Sequence, residues 1–174
     1  MSPSPTTEAH IAETLRVALR GLAMGVVVLA ARDGADRHAM TATAVTPLSF
    51  APPAMLACVN ETASIHPALK RGAEFSINIL SVVHEPLARL CSSSAQKGEA
   101  RFGDERWRAD ERGVPFLHDA VAVFCTVDVA HMYGTHGVFI GRVRTVRGPH
   151  VAEPLLYYGG RYASLGPQPD RADP

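Results

Sequence analysis

The feature that most constrains this chain is the stretch 40–60, which contains no charged side chain. Hydroxyl groups nevertheless recur along it, at Thr41, Thr43, Thr46 and Ser49. Threonine suits strand geometry, and Pro52-Pro53 indicates a turn, so the stretch can form a pair of buried strands. The small side chains of residues 42–44 would also let a flat ligand reach the backbone. Two interpretations are therefore open: ordinary core strands, or strands that form one wall of a binding site.

Length and composition limit the class of protein. A chain of 174 residues is expected to form one domain, residues 1–174, with disordered tails at 1–6 and 166–174. It is 47% hydrophobic and 20% charged, which is ordinary for a globular protein. Lys+Arg and Asp+Glu both number 17, so there is no basic field to attract nucleic acid or an anionic membrane.

The sequence also indicates a compartment. Charged residues such as Glu8, Glu13 and Arg16 interrupt any apolar core of a signal peptide. The longest apolar run, 21–31, is about half of the roughly 20 residues that a membrane helix needs. Three cysteines without CxxC spacing predict neither a disulfide framework nor a metal site. We expect a cytoplasmic protein.

Periodicity predicts many short strands and few helices. Apolar residues at three- and four-residue steps predict a helix from Thr7 to near Gly21. Short helices are predicted over 64–71 and 84–93, and a polar surface excursion with one short strand between 92 and 113. Strands are predicted over 24–31, 38–45, 54–60, 74–80, 120–133, 138–146 and 155–158. This pattern favours a mainly β protein, an antiparallel barrel with peripheral helices. No GxGxxG or GxxxxGK[ST] motif occurs, which disfavours dinucleotide-binding and P-loop folds.

Several side chains are candidates for a site. His136 is predicted in a hairpin turn, either exposed to solvent or facing a substrate. Ser64 could cap the predicted 64–71 helix and, with Thr62, bind a phosphate at its N-terminus. Lys97, Arg101 and Phe102 are either a solvated run or a cation and a ring that contact a nucleotide. Tyr157, Tyr158 and Tyr162, around Gly159-Gly160, could pack on a ligand or simply flank a turn, as tyrosines often do in barrels.

In order and spacing, four segments resemble one family. They are 40–44 with Pro52-Pro53, then 58–64, then 75–80, and finally 134–136 with Ile140-Gly141. Together they span about residues 20–165 and resemble the short-chain flavin reductases, which have an FMN-binding split-barrel fold.

The resemblance implies roles for individual residues. Thr41, Ala42, Thr43 and Ala44 would line the isoalloxazine ring. A second segment, Cys58-Val59-Asn60, would contact the ribityl chain or ring edge, and Ser64 the phosphate. His136 would orient the nicotinamide. Members usually have Gly-Asp-His at this turn, whereas this chain has Gly-Thr-His, and Thr43 stands where many have asparagine.

The implied function is NAD(P)H-dependent reduction of FMN, or of FAD, by a homodimer that supplies a separate monooxygenase. Hydride would pass from nicotinamide to flavin, whose ring carries the electronic demand. Two other interpretations stay open. One is a split-barrel flavin-binding protein without turnover, a carrier or sensor. The other is a related pyridoxine-type oxidase or haem-handling protein.

Overall fold

The computed structural model describes residues 5–149 and 153–166. Its helices are α1 (Pro5–Leu19) and α2 (Glu85–Ser92), with 3₁₀ turns at His66–Ala68, Val82–His84 and Gly98–Phe102. Its strands are β1 (Met24–Gly25), β2 (Val27–Asp33), β3 (Asp36–Ala42), β4 (Val45–Phe50), β5 (Pro53–Asn60), β6 (Glu74–Ile79), β7 (Trp107–Ala109), β8 (Pro115–Leu117), β9 (Val121–Tyr133), β10 (His136–Arg147), β11 (Leu156–Tyr158) and β12 (Arg161–Ala163). Of the predicted tails, 1–4 and 167–174 lie outside the described residues, whereas Pro5 and Thr6 already belong to α1.

Seven antiparallel strands form the main sheet, in the order β3-β2-β6-β9-β10-β5-β4. The long β9–β10 hairpin at its centre confirms the predicted pairing of 120–133 with 138–146. Its loop is shorter than predicted, because Tyr133 already pairs with His136 across Gly134 and Thr135. A positive φ of 57° at Gly134 permits this two-residue loop. His136 is therefore the first residue of β10 and not part of the turn.

Strand β2 is buried on both faces, which explains its unbroken apolar sequence. On one face Leu29 packs in a core cluster with Phe75 and Ile77 of the neighbouring β6. On the other face Val28 packs in a second cluster with Leu87 of α2. Helix α2 thus covers this face of the sheet, next to the end of β3.

The prediction that residues 92–113 form a polar surface excursion is wrong in one respect: the segment contributes two aromatic side chains to the core. Phe102 and Trp107 are buried in the second core cluster, with ring centroids 4.7 Å apart. The Trp107 indole N–H donates to the Arg101 carbonyl oxygen at 3.0 Å. Most neighbouring side chains are charged and exposed, so the composition of the segment does not indicate that two of its aromatic residues are buried.

The predicted helix over 64–71 is wrong. The structure has only a three-residue 3₁₀ turn, His66–Ala68, preceded by Ile65 and without a side-chain cap. Leu69, with φ of −91° and ψ of 49°, leaves helical geometry as its side chain enters the core. Ser64 therefore caps no helix, and the phosphate argument built on a helix N-terminus does not hold there.

Two predicted strands are interrupted. The 24–31 strand divides at Val26 into β1 and β2, and the 38–45 strand ends at Ala42 before β4 begins at Val45. Strand β4 pairs with β5 as predicted, but the turn between them is Ala51-Pro52, because Pro53 already pairs with Phe50 as the first residue of β5. At Thr43 and Ala44 the chain passes from β3, at one edge of the main sheet, to β4, at the other edge.

A small sheet, β1-β11-β12, joins the two ends of the described chain. Tyr157 pairs with Met24, and Tyr158 pairs with Arg161 across a turn of two glycines. Gly159 and Gly160 have φ of 61° and 80°, which side chains disfavour. Within the described part of the chain, neither helix is long and apolar enough to span a lipid bilayer.

Candidate functional site

A cavity of about 550 Å³ lies where three separate parts of the chain meet. One wall is the end of β3, the second is the C-terminal end of α2 and the third is the β11–β12 hairpin. The lining residues are Val26, Thr41, Ala42, Thr43, Arg89, Ser92, Ser93, Tyr157, Gly160, Arg161 and Tyr162. Small side chains, hydroxyls, tyrosines and arginines thus share one space, and none of the lining residues is acidic.

The β3 wall is fixed to α2. The Thr41 hydroxyl donates to the Ala88 carbonyl oxygen at 2.6 Å, which holds the end of β3 against the helix. Ala42 is buried and Thr43 half-buried, and both are short enough for a planar ligand to reach the backbone. Ala44 is exposed, and its carbonyl oxygen accepts a hydrogen bond from the Cys58 N–H at 2.9 Å. This bond ties the wall to strand β5.

The β5 segment continues toward His136. Val59 is fully buried in the core, whereas Cys58 and Asn60, on either side of it, are half-buried on the opposite face. Asn60 pairs with His136 in the β5–β10 register. The exposed imidazole lies beside its own neighbour, with Thr135 Oγ1 3.1 Å from His136 Nδ1. A line of backbone contacts thus connects Thr43 to His136 through Ala44, Cys58 and Asn60.

The remaining sequence-derived candidates lie apart from the cavity lining. Asn60 Oδ1 accepts hydrogen bonds from the Thr62 N–H at 2.9 Å and the Thr62 hydroxyl at 2.8 Å, which closes a local turn. Ser64 is half-buried in the loop that follows. Lys97 is exposed, and Phe102 is buried beneath the guanidinium of Arg37, 4.4 Å from the ring centroid.

Arg101 is buried behind the cavity. Its guanidinium donates to the carbonyl oxygens of Gln96 at 2.8 Å and Ser93 at 2.7 Å, and also to that of Ala39. Burial lowers the pKa of Arg101. This arginine therefore binds the end of α2 to β3 and is not itself part of the lining.

Five lining residues were not predicted from the sequence: Val26, Arg89, Ser92, Ser93 and Arg161. Arg89 donates to Glu85 Oε1 from two guanidinium nitrogens, at 2.9 and 2.6 Å, and lies 4.8 Å from the centroid of the Tyr162 ring. The Tyr157 and Tyr162 rings meet edge to face at 5.5 Å. The sequence signal for this wall was the paired glycines followed by Arg161-Tyr162.

Comparison with known proteins identifies relatives across nearly the whole chain. The family model described as "Flavin reductase like domain" matches residues 19–166. A protein of Methylorubrum extorquens (strain PA1) named FMN reductase (NADH) RutF 2 is 35% identical over 168 residues, covering 96% of each chain. The reductase component of the FADH(2)-dependent resorcinol hydroxylase of Rhizobium sp. (strain MTP-10005) is 32% identical, covering 90% of this chain and 89% of that one.

A solved structure shares the fold. The NADH:FAD oxidoreductase SgcE6 of Streptomyces globisporus C-1027, solved in complex with NAD and FAD fragments, superimposes with a TM-score of 0.82 at 26% identity. The match covers 99% of both chains. The expected mainly β, split-barrel architecture is therefore confirmed.

Proposed function

The chain belongs to the flavin reductase-like domain family, and from this premise we propose that it reduces FMN with NADH. The observation that carries the proposal is the cavity beside Thr41–Thr43, which has small walls, hydroxyls and two arginines but no acidic lining residue. Such a space suits a planar ring attached to an anionic chain. When bound, the flavin supplies the ring that accepts a hydride from the nicotinamide.

The protein's own contribution is to hold the rings and exclude water. We assign the ring wall to Thr41, Ala42, Thr43 and Ala44, whose short side chains allow close approach to the backbone. Cys58 and Asn60, bonded to this wall through Ala44, form the neighbouring edge, and Val59 supports them from the core. The Tyr162 ring covers the opposite side of the cavity. No ionisable acid–base pair is needed for this positioning role.

We assign His136 to orientation of the nicotinamide. Its imidazole is exposed at the start of β10, and His136 pairs directly with Asn60 of β5, so an incoming dinucleotide can reach it. The Thr135 hydroxyl contacts Nδ1 at 3.1 Å and fixes the ring, the task that a carboxylate would otherwise perform. Thr62 closes the adjoining turn through its bonds to Asn60, and the buried Arg101 and Phe102 support the cavity from behind.

The test is NADH oxidation by the purified protein with FMN. We expect the absorbance of NADH to fall faster than in the enzyme-free control, with NADPH and FAD assayed in parallel. Absence of turnover with every pair would exclude reductase activity. Tight FMN binding together with no turnover would instead favour the flavin carrier or sensor, the alternative that Thr135 in place of an acid keeps open.

We further propose that the protein is a cytoplasmic homodimer that supplies reduced flavin to a separate oxygenase. The role as a supplier is supported by the similarity to a named reductase component of a hydroxylase. Dimer formation is supported by exposed apolar side chains on the sheet, such as Phe50, 87% exposed, and Tyr133, 79% exposed. A reducing compartment is consistent with the free thiols of Cys58, Cys91 and Cys125.

A further inference from the structure

We propose that Arg161 and the hydroxyl of Ser93 bind a nucleotide phosphate inside the 550 Å³ cavity. The inference rests on the proposed function in one respect, that the ligand of the cavity is a nucleotide. It moves phosphate recognition away from Ser64, whose expected helix is absent, to the wall formed by α2 and the β11–β12 hairpin.

The charges in the cavity lining single out Arg161. Arg89, the other lining arginine, is neutralised by Glu85 through two hydrogen bonds and is stacked on Tyr162. Arg161 forms no ion pair with any carboxylate in residues 5–149 or 153–166. Because the lining contains no acid, this cation faces the cavity without a competing partner and is available to an anion.

The hydroxyl groups of the lining also differ in whether their hydrogen is already donated to another group. The Thr41 hydroxyl hydrogen is committed to the Ala88 carbonyl oxygen, and that of Ser92 to the Arg89 carbonyl oxygen at 2.9 Å. Ser93 differs, because its Oγ accepts from the Ala95 N–H at 3.2 Å and so keeps its own hydrogen to donate. Of the two serine hydroxyls at the end of α2, only that of Ser93 can donate to a phosphate without losing an existing bond.

One effect opposes an anion here, and the fold offsets it. Ser92 and Ser93 lie at the C-terminal end of α2, where the helix dipole is negative. The buried guanidinium of Arg101 donates to the Ser93 carbonyl oxygen at 2.7 Å and so places a full positive charge at that pole. The helix dipole is equivalent to about half a charge, so the local field favours a phosphate.

The hairpin turn fixes the position of the cation. Gly159 and Gly160 adopt the left-handed conformations that a two-residue turn requires, and Tyr158 pairs with Arg161 directly after it. The Gly159 N–H also donates to the carbonyl oxygen of Arg20, the residue that follows α1, at 3.0 Å. This bond anchors the turn. Arg161 is thus presented from a short, constrained element, which lowers the entropy cost of binding.

The experiment compares ligands that differ by one phosphate. Binding of FMN and of riboflavin is measured by flavin fluorescence, without NADH, for the wild type and for Arg161→Gln, Arg161→Lys, Ser93→Ala and Ser64→Ala. Arg71→Gln is the matched control, an exposed arginine that also lacks a carboxylate partner in the described chain. NADP⁺ and NAD⁺ are titrated calorimetrically against the same variants, because the phosphate could belong to either nucleotide. Thermal melts verify that each variant is folded.

We expect Arg161→Gln to weaken FMN binding about 10- to 100-fold while riboflavin binding changes less than about twofold. Arg161→Lys should lose less FMN affinity than Arg161→Gln. Ser93→Ala should also weaken FMN binding relative to riboflavin binding, and Arg71→Gln should leave the affinity for both ligands unchanged. A selective loss of NADP⁺ affinity instead would support the phosphate site and assign it to the dinucleotide. Equal losses for both members of each pair, or none, would overturn the proposal, as would a selective FMN loss in Ser64→Ala alone. Because these measurements need no turnover, they remain decisive if the reductase assay fails.

Discussion

At the scale of the residue, our proposal for turnover centres on His136 and its neighbour Thr135. Thr135 Oγ1 lies 3.1 Å from Nδ1, which leaves Nε2 for an incoming ligand. The imidazole is held at the end of a strand and not in a free loop, so its position is set by the β5–β10 register. A group placed in this way can orient a nicotinamide without donating a proton to it.

We therefore expect His136→Ala to reduce kcat/KM for NADH by at least about tenfold, because orientation of the reacting ring is lost. FMN affinity should stay within about twofold, since the proposed flavin wall is built from other residues. Steady-state kinetics with a parallel fluorescence titration measures both quantities. His131→Ala, which removes another exposed histidine of the same hairpin, is the control. Unchanged turnover in His136→Ala would remove this histidine from the site.

The cysteines offer a second test at this scale. Burial raises the pKa of the Cys91 thiol to about 11 and that of Cys125 to about 12. Only the thiolate reacts with iodoacetamide, so both groups should stay unmodified in the native protein at pH 8. Half-buried Cys58 should react, and FMN should slow its alkylation if β5 borders the flavin. Peptide mass spectrometry gives the rates, with urea-unfolded protein as the reference in which all three react. An FMN-independent rate at Cys58 would place the flavin elsewhere.

Single residues also mark the limit of what the sequence predicts about the site. Thr41–Thr43 could be proposed because an uncharged stretch with recurring hydroxyls is visible in the sequence itself. Arg161 and Ser93 could not, because they are 68 positions apart (161 minus 93) and meet only through tertiary packing. The hydroxyl that keeps a free hydrogen is likewise determined by local hydrogen bonds, which residue types alone do not reveal.

At the scale of the element, β10 depends on close packing against its neighbours. A Cβ at Gly141 would lie 2.6 Å from Phe75 Cζ and 2.9 Å from Cys125 Cβ, both in the core. Neither buried group can move without displacing others. The glycine is therefore required by the space between strands and not by its backbone angles.

Gly141→Ala should lower the free energy of unfolding by about 1–3 kcal/mol, since the new methyl group overpacks the core. Gly25→Ala is the matched control, a strand glycine with no atom within 4 Å of the added Cβ, and should change stability by less than about 0.5 kcal/mol. Urea unfolding followed by circular dichroism measures both variants. Equal stability of the two would contradict the packing argument.

The elements that the sequence predicted well are those whose signal is local. The β9–β10 hairpin follows from a long β-branched run, a Gly-containing turn and a second such run. The 64–71 helix failed because its apolar spacing, at Ile65, Ala68 and Leu69, serves burial in a loop. The single 3₁₀ turn in that loop ends at Leu69, whose backbone is not helical. Where packing determines the conformation of a segment, the spacing of its apolar residues does not predict its secondary structure.

At the scale of the whole molecule, exposed apolar groups on the sheet support self-association. Leu48 and Phe50 on β4, and Val129, Met132 and Tyr133 on β9, are all more than two-fifths exposed. Burial of such groups against a second copy removes apolar surface from water. The main sheet, in which β4 is one of the two outer strands, would thus contribute to a subunit interface.

Light scattering during size-exclusion chromatography should therefore give about twice the 18.6 kDa chain mass. Phe50→Glu should shift the protein toward monomer, because a charge would be buried without a partner. Val83→Glu, a change at an exposed apolar residue away from β4 and β9, should leave the mass unchanged. A monomeric wild type, or a dimeric Phe50→Glu protein, would contradict this interface.

The three walls of the cavity come from residues near positions 42, 92 and 161. During synthesis the first two emerge early, but the last wall requires the hairpin close to the end of the described chain. The pocket is therefore complete only once the β11–β12 hairpin has been synthesised. A chain truncated before Arg161 would lack one of the three walls of the proposed flavin site, so it should gain less stability from added FMN than the full chain.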